Sequence, residues 1–247
     1  MRQFGLIGKT LKHSFSKQYF TQKFKDESIE GCQYELFELA NIAEFPALIE
    51  KHKSNIVGLN VTIPYKKEVI PFLDEMDDNA QAIGAVNTIK VLDNGNLKGF
   101  NTDYIGFKQS LQEGWNLEEK KALVLGTGGA SEAIKKALSD LSIPFQSVSR
   151  QSSGDSITYQ DLFNGEWVLS HEIIINTTPL GTFPKSEEKA DLPYSRLTSN
   201  HLLYDLVYNP EITAFMQAGL DQDAKVKNGY AMLIGQAEAA WKIWNNK

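Results

Sequence analysis

The sequence predicts an α/β layered protein. Strand-like and helix-like stretches alternate along most of its 247 residues. The apolar stretch "KKALVLG" (120–126) shows no polar alternation, as expected of a central parallel strand. A glycine cluster and the helical pattern "ASEAIKKALSDL" (130–141) follow it directly.

Taken in order, "QFGLIG" (3–8) reads as a first strand, and "SKQYFTQKFKDE" (16–27) has helical spacing at Tyr19, Phe20 and Phe24. "CQYELFEL" (32–39) is a second strand, "IAEFPALIEKH" (42–52) a helix and "IVGLNVTI" (56–63) a third strand. "KEVIPFLDEMDDNAQAIG" (67–84) reads as mostly helical. "AVNTIKVLDNGNLKGFNTD" (85–103) reads as a hairpin turning at Asp93-Asn94-Gly95. The character changes near residue 102. A helix, "DYIGFKQSLQEG" (103–114), carries Gly114 as a C-cap. The strands "KKALVLG", "PFQSVSR" (144–150), "EIIINTTP" (172–179) and "LLYDLVY" (202–208) then recur with helices between and after them, among these "EITAFMQAG" (211–219). The segment "NGYAMLIGQAEAAWKIW" (228–244) is a long amphipathic helix whose partner could be either half of the chain.

Composition excludes several classes. The net charge of -6 is spread without basic blocks, which argues against a nucleic-acid surface. One cysteine, Cys32, cannot form an intrachain disulfide, and no Cys/His cluster has metal-ligand spacing. No apolar run approaches the roughly 20 residues of a membrane span. A reducing cytoplasmic location, no membrane and no metal are the expectations.

"ALVLGTGGASEA" (122–133) sets Gly126, Thr127, Gly128, Gly129 and Ala130 between a buried strand and a helix. One glycine permits the tight turn, a second lets the backbone approach a pyrophosphate, and N–H groups at the helix N-terminus hold the anion. Where NAD sites place an acid about 20 residues on, this chain has Arg150, with Ser149, Ser152 and Ser153 around it. A guanidinium suits a 2′-phosphate, so the reading favours NADP over NAD.

"HSFS" (13–16), "NVTIPYK" (60–66), "GAVNT" (84–88), "GFNTD" (99–103), "GTGGAS" (126–131), "NTTPLG" (176–181), "DLVYNP" (205–210) and "NGYAMLIGQA" (228–237) occur in this order. With them the chain resembles the shikimate dehydrogenase family from about residue 3 to residue 240. The resemblance implies two α/β domains: a substrate domain of residues 1–101 plus 229–247, and a Rossmann-like, doubly wound NADP domain of residues 102–228. It implies reversible, NADPH-linked reduction of 3-dehydroshikimate to shikimate, a small-molecule substrate, by a monomer or homodimer. It further implies that Ser14 and Ser16 hold the substrate carboxylate, with Tyr208 at the same end of the site. Thr62, Asn87 and Gln236 would surround the ring and its hydroxyls. Lys66 and Asp103 would be the catalytic pair, residues 126–130 the phosphate loop, and Leu206 and Gly229 backbone positions at the nicotinamide. Two departures from the family pattern stand out: Ser149-Arg150-Gln151 in place of Asn-Arg-Thr, and Asn228 where an acid is common.

Reduction of a ketone leaves negative charge on its oxygen, which a cation can stabilise and protonate. Lys66 could do both. Asp103 reads first as an orienter and hydroxyl ligand that can also share the proton. The residue types alone allow plainer readings. Adjacent lysines after a proline are usually solvated, Asn87 and Asp103 suit turns, and Gln236 on a helix suits the surface. Ser14 and Ser16 alternate along a stretch read as extended, so both can face one side, and either could cap the following helix. His13 receives no role. The competing functional readings are an NAD-preferring quinate/shikimate dehydrogenase and a non-catalytic NADP-binding module.

Overall fold

The protein is described from a computed structural model, in which all residues except 13, 152, 153 and 247 are described. It divides into two units, Met1–Thr102 with Ala237–Lys247, and Asp103–Gln236.

The first unit is built on one mixed sheet. Its strands are β1 (Arg2–Gly8), β2 (Cys32–Glu38), β3 (Ile56–Val61), β4 (Glu75–Met76), β5 (Thr88–Val91) and β6 (Leu97–Phe100). The order across the sheet is β2-β1-β3-β5-β6-β4. The strands β1, β2 and β3 run parallel, while β5 is antiparallel to both β3 and β6. The helices are α1 (Phe15–Asp26), α2 (Phe45–His52), α3 (Tyr65–Glu68) and α4 (Asp78–Ile83). Apolar side chains fill both faces of the sheet. Phe4, Phe20, Phe24, Tyr34 and Trp244 form one cluster, and Ile7, Phe45, Leu59, Tyr65 and Ile89 form the other. Trp244 enters from the C-terminal helix, and its indole N–H donates to the Ile89 carbonyl at 2.9 Å.

The helix expected over 67–84 is not continuous. It resolves into the end of α3, a 3-10 turn at Ile70–Phe72, the short strand β4, and α4. Pro71 lacks the N–H that a helix interior needs. Leu73 is extended at φ -100 and ψ 143, and Asp77 starts a new helix by accepting from the Ala80 N–H at 2.8 Å.

The second unit is a six-stranded parallel sheet in the order β12-β11-β10-β7-β8-β9. Its strands are β7 (Ala122–Leu125), β8 (Phe145–Ser149), β9 (Ile157–Thr158), β10 (Ile173–Asn176), β11 (Leu202–Asp205) and β12 (Lys225–Lys227). Its helices are α5 (Thr102–Gln112, beginning one residue before the division), α6 (Gly129–Asp140), α7 (Tyr159–Asn164) and α8 (Ala214–Leu220). The last helix, α9 (Tyr230–Asn245), begins in this unit and ends in the first. Every residue of β7, β10 and β11 is buried, which is why these strands read as apolar runs without alternation. The elements β9, α7 and β12 are too short and too polar to stand out in the sequence.

Candidate active site

Each sheet has a point where successive connections run to opposite sides, and open α/β sheets bind ligands outside the carboxyl ends of the strands there. In the first sheet this point lies between β1 and β3, with β2 on the far side of β1. The chain leaving β1 leads to Ser14 and Ser16, and the chain leaving β3 leads to Thr62 and Lys66. Because β5 is antiparallel to β3, with Thr88 opposite Asn60, its first residues sit at the same edge, and Asn87 with them.

Ser14 is extended and caps α1, its hydroxyl accepting from the Lys17 N–H at 3.2 Å. Ser16 is already helical, so the two serines do not alternate along an extended segment as the sequence suggested. The α1 helix starts earlier because Ser14 supplies the cap. The Ser16 hydroxyl instead hydrogen-bonds Tyr34, whose buried phenol is pushed well above its ordinary range by burial. Tyr34 in turn donates to Asn60 Oδ1 at 2.7 Å, so Asn60 is a buried structural residue.

Lys66 and Lys67 lie side by side in α3, where Lys66 is half-buried and Lys67 exposed. The helix is pinned on both sides of Lys66. The Tyr65 hydroxyl donates to the Leu39 carbonyl at 2.7 Å, and the Lys66 carbonyl accepts from the Val86 N–H at 2.8 Å. Thr62 is half-buried and donates its N–H to the Ile7 carbonyl at 2.9 Å. Asn87 is 2 % exposed. Its Oδ1 accepts from the Thr102 N–H at 2.7 Å and the Thr102 hydroxyl at 3.1 Å, so its Nδ2 is the donor end. Asp103 follows Thr102 in the chain and is buried at the start of the second unit.

In the second sheet the switch lies between β7 and β10, because β8 and β9 continue on one side and β11 and β12 on the other. Gly126 leaves β7 at φ +105, a conformation that side-chain-bearing residues rarely adopt. A Cβ there would meet Thr177 Oγ1 at 2.9 Å and Thr178 Cγ2 at 3.0 Å, both in the chain leaving β10. Gly128 precedes α6 without any side chain capping the helix. A Cβ added at Gly128 or Gly129 would have nothing within 4 Å. Thr127 is exposed and Ala130 half-buried beside them. An uncapped helix N-terminus under an open glycine cradle, at a switch point, fits a dinucleotide pyrophosphate.

Arg150 is exposed and directly follows β8, the neighbour of β7, at the same sheet edge as Gly126. That position suits a ribose phosphate. The Ser149 hydroxyl is engaged locally, donating to the Gln151 carbonyl and lying 3.2 Å from the Ser156 hydroxyl. Ser152, Ser153 and His13 lie outside the described residues.

Leu206 and Gly229 are brought together: a Cβ on Gly229 would collide with the Leu206 carbonyl, and the Gly229 N–H donates to the Val207 carbonyl at 3.2 Å. Tyr208, two residues on, is 38 % exposed, with its phenol pushed up by partial burial. Gln236 is half-buried on α9, where Gly106 of α5 lets the helices close: a Cβ there would meet the Gln236 N at 2.7 Å. The Asn228 amide donates to the Glu211 carbonyl at 2.9 Å, a bond an acid could not make, and its Oδ1 accepts from the Tyr230 N–H at 3.1 Å.

Sequence reasoning assigned no role to Thr177 and Thr178, although "NTTPLG" directly follows an apolar strand. Its partner across the switch becomes visible only once β7 and β10 are known to be neighbours.

Residues 6–89 match the family model described as the shikimate dehydrogenase substrate binding domain. The whole chain is 41 % identical to a shikimate dehydrogenase (NADP(+)) of Clostridium beijerinckii, covering 99 % of this chain and 92 % of that protein. The chain belongs to the shikimate dehydrogenase family. Among solved members, a chorismate mutase/shikimate 5-dehydrogenase fusion protein from Clostridium acetobutylicum superposes with a TM-score of 0.88 at 34 % identity, covering 99 % of this chain and 91 % of that one. A shikimate dehydrogenase in complex with NADP+ gives a TM-score of 0.83 at 31 % identity, over 99 % and 90 % of the two chains. Like these two-domain dehydrogenases, the chain is a mixed α/β protein with two sheets. Among the described residues no helix is long and apolar enough to cross a membrane.

Proposed function

We propose that this chain is an NADP-linked oxidoreductase that interconverts shikimate and 3-dehydroshikimate, acting in the cytoplasm. One observation carries the reading. The similarity to NADP(+) shikimate dehydrogenases extends over nearly the whole chain, so the Lys66 switch point and the glycine cradle both fall inside it. The substrate domain is read as residues 1–101 plus 229–247 and the NADP domain as 102–228.

NADP, when bound, supplies the hydride acceptor for oxidation, and NADPH the donor for reduction. The residues that hold it are 126–130 at the pyrophosphate and Arg150 at the 2′-phosphate. Leu206 and Gly229 offer a flat backbone surface to the nicotinamide. The substrate carboxylate is held by the Ser14 and Ser16 hydroxyls and by Tyr208. Thr62, Asn87 and Gln236 hold the ring hydroxyls, with the Asn87 Nδ2 as donor. Lys66 moves the proton: its Nζ takes it from the alcohol during oxidation and returns it to the carbonyl oxygen during reduction. Asp103 orients the same oxygen and shares that proton.

The test is a matrix of initial rates with shikimate and quinate against NADP and NAD. Fastest turnover with shikimate and NADP is expected. Faster turnover with quinate and NAD would replace the reading with the NAD-preferring alternative, and no turnover with any pair would remove the enzymatic reading.

A further inference from the structure

The carboxylate of Asp205 ends β11 and is fully buried. Its Oδ1 accepts from the Asn176 amide at 2.9 Å and from the Val207 N–H at 3.0 Å. Its Oδ2 accepts from the Thr213 hydroxyl at 2.6 Å. The three donors belong to different segments. Asn176 ends β10, Val207 lies in the chain leaving β11, and Thr213 caps α8 by accepting from the Met216 N–H at 3.2 Å.

Two of the three donors, Asn176 and Val207, are themselves tied to residues at the proposed cofactor site. Asn176 Oδ1 accepts from the Thr178 N–H at 3.0 Å and the Thr178 hydroxyl at 2.6 Å, and Thr178 lines Gly126. The Asn176 carbonyl accepts from the Leu206 N–H at 3.0 Å. The Val207 carbonyl accepts from the Gly229 N–H, the residue packed against Leu206. A carboxylate has acceptor capacity for all three donors at once. Burial of a charge is costly, and here the carboxyl is held by three bonds rather than exposed to water.

We infer that Asp205 is a positioning residue for hydride transfer, fixing Leu206, Val207 and Tyr208 in register with the chain leaving β10. The inference rests on the functional reading above. The adenosine and pyrophosphate portions of the cofactor are held by other residues, Gly126–Ala130 and Arg150. Loss of Asp205 therefore falls mainly on the reacting end, where Leu206 and Val207 directly follow it, whereas the anchor is reached only indirectly, through Asn176 and Thr178.

The experiment compares wild type, Asp205→Ala and Asp205→Asn for kcat with shikimate and for NADP affinity by quenching of tryptophan fluorescence. A displacement of about 1 Å at a reacting centre costs on the order of 100-fold, so kcat of Asp205→Ala should fall by about that factor. Its NADP Kd should stay within about threefold, because the charge-assisted contacts to the phosphates are intact. Asp205→Asn keeps the Oδ1 acceptor for Val207 and Asn176, and its amide can donate to Thr213 Oγ1, so it should recover most of kcat. If Asp205→Ala is folded and turns over like wild type, the inference is wrong. It is equally wrong if NADP affinity falls in step with kcat, since that marks a general loss of structure. Should Asp205→Ala not fold, Thr213→Val removes one donor at nearly constant volume. A drop in kcat of about 10-fold or more, as for loss of one hydrogen bond to a charged group, with NADP affinity and melting temperature little changed supports the inference, and unchanged kcat refutes it. An inactive wild type would overturn the functional reading itself, whereas an active wild type with an unaffected variant overturns only the role of Asp205.

Discussion

Replacing Gly129 by alanine separates a structural role of the glycine cluster from a binding one. Gly129 is the first residue of α6, and a Cβ there meets nothing within 4 Å. The free protein therefore has room for the methyl group. Alanine in place of glycine within a helix gains about 0.5–1 kcal/mol. For a chain of this size that raises Tm by roughly 1–4 °C. The open space is the proposed seat of the pyrophosphate. A methyl group there would displace the anion from the helix N–H groups, and losing one hydrogen bond to a charged group costs about 1.5–3 kcal/mol. NADP should then bind about 10- to 150-fold more weakly. The assay is thermal melting with and without NADP. At NADP near 100 times its Kd, wild type gains about 2.7 kcal/mol, while a variant weakened 100-fold gains only about 0.4. The order of melting temperatures should thus reverse: Gly129→Ala above wild type without NADP and below it with NADP. A variant that melts lower than wild type without ligand, or that gains as much from NADP, would refute the assignment of the cradle.

Gly229→Ala should behave oppositely, because its methyl group meets the Leu206 carbonyl in the free protein. Overpacking of about 1–3 kcal/mol should lower Tm without ligand and lower kcat, both measurable on one preparation. Arg150→Ala should raise the Michaelis constant for NADP about 10-fold or more and leave that for NAD nearly unchanged, as expected for loss of a charge-assisted contact to the 2′-phosphate. Asp205 has its carboxyl pushed up to about 6 by burial, against the pull of Thr213, the Val207 N–H and Asn176. The folded protein therefore binds that proton more tightly than the unfolded chain, whose value is near 3.9. Its contribution to stability is complete below about pH 4 and falls by up to about 3 kcal/mol as pH rises through 6. The difference in unfolding free energy between wild type and Asp205→Asn should show this fall, and carbon NMR of the carboxyl should give a midpoint near 6. Subtraction removes groups that run the other way, such as Asp140, held below its ordinary value by its hydrogen bond to Lys136.

Much of the second sheet was legible in the sequence because β7, β10 and β11 are buried on both faces and read as short apolar runs, ended only by Asn176 in β10 and Asp205 in β11. The Gly126 turn was legible because only a strand, a glycine cluster and a helix in succession give that pattern. What depended on neighbours in space was not. Pro71 and the cap at Asp77 divide a stretch that reads as mostly helical. Ser14 and Ser16 look alike in sequence, yet one caps a helix and the other meets Tyr34. Asp205 reads as an ordinary strand-end acid, and its three donors come from positions 29 and 8 residues away and from the Val207 N–H two residues on. Lys66 and Lys67 are chemically identical in sequence, and only the family resemblance singled out Lys66. In the structure the two differ in burial.

That difference leads to the most direct test of the central claim, that Lys66 moves the proton in an NADP-linked oxidation of shikimate. Shikimate-dependent NADPH formation is measured for wild type, Lys66→Ala and Lys67→Ala. Wild type should form NADPH, Lys67→Ala should match it within about twofold, as an exposed charge removed from the surface should, and Lys66→Ala should be slower by about 10²–10⁴ with little change in shikimate binding. Turnover retained by Lys66→Ala, or no NADPH from wild type, would contradict the account.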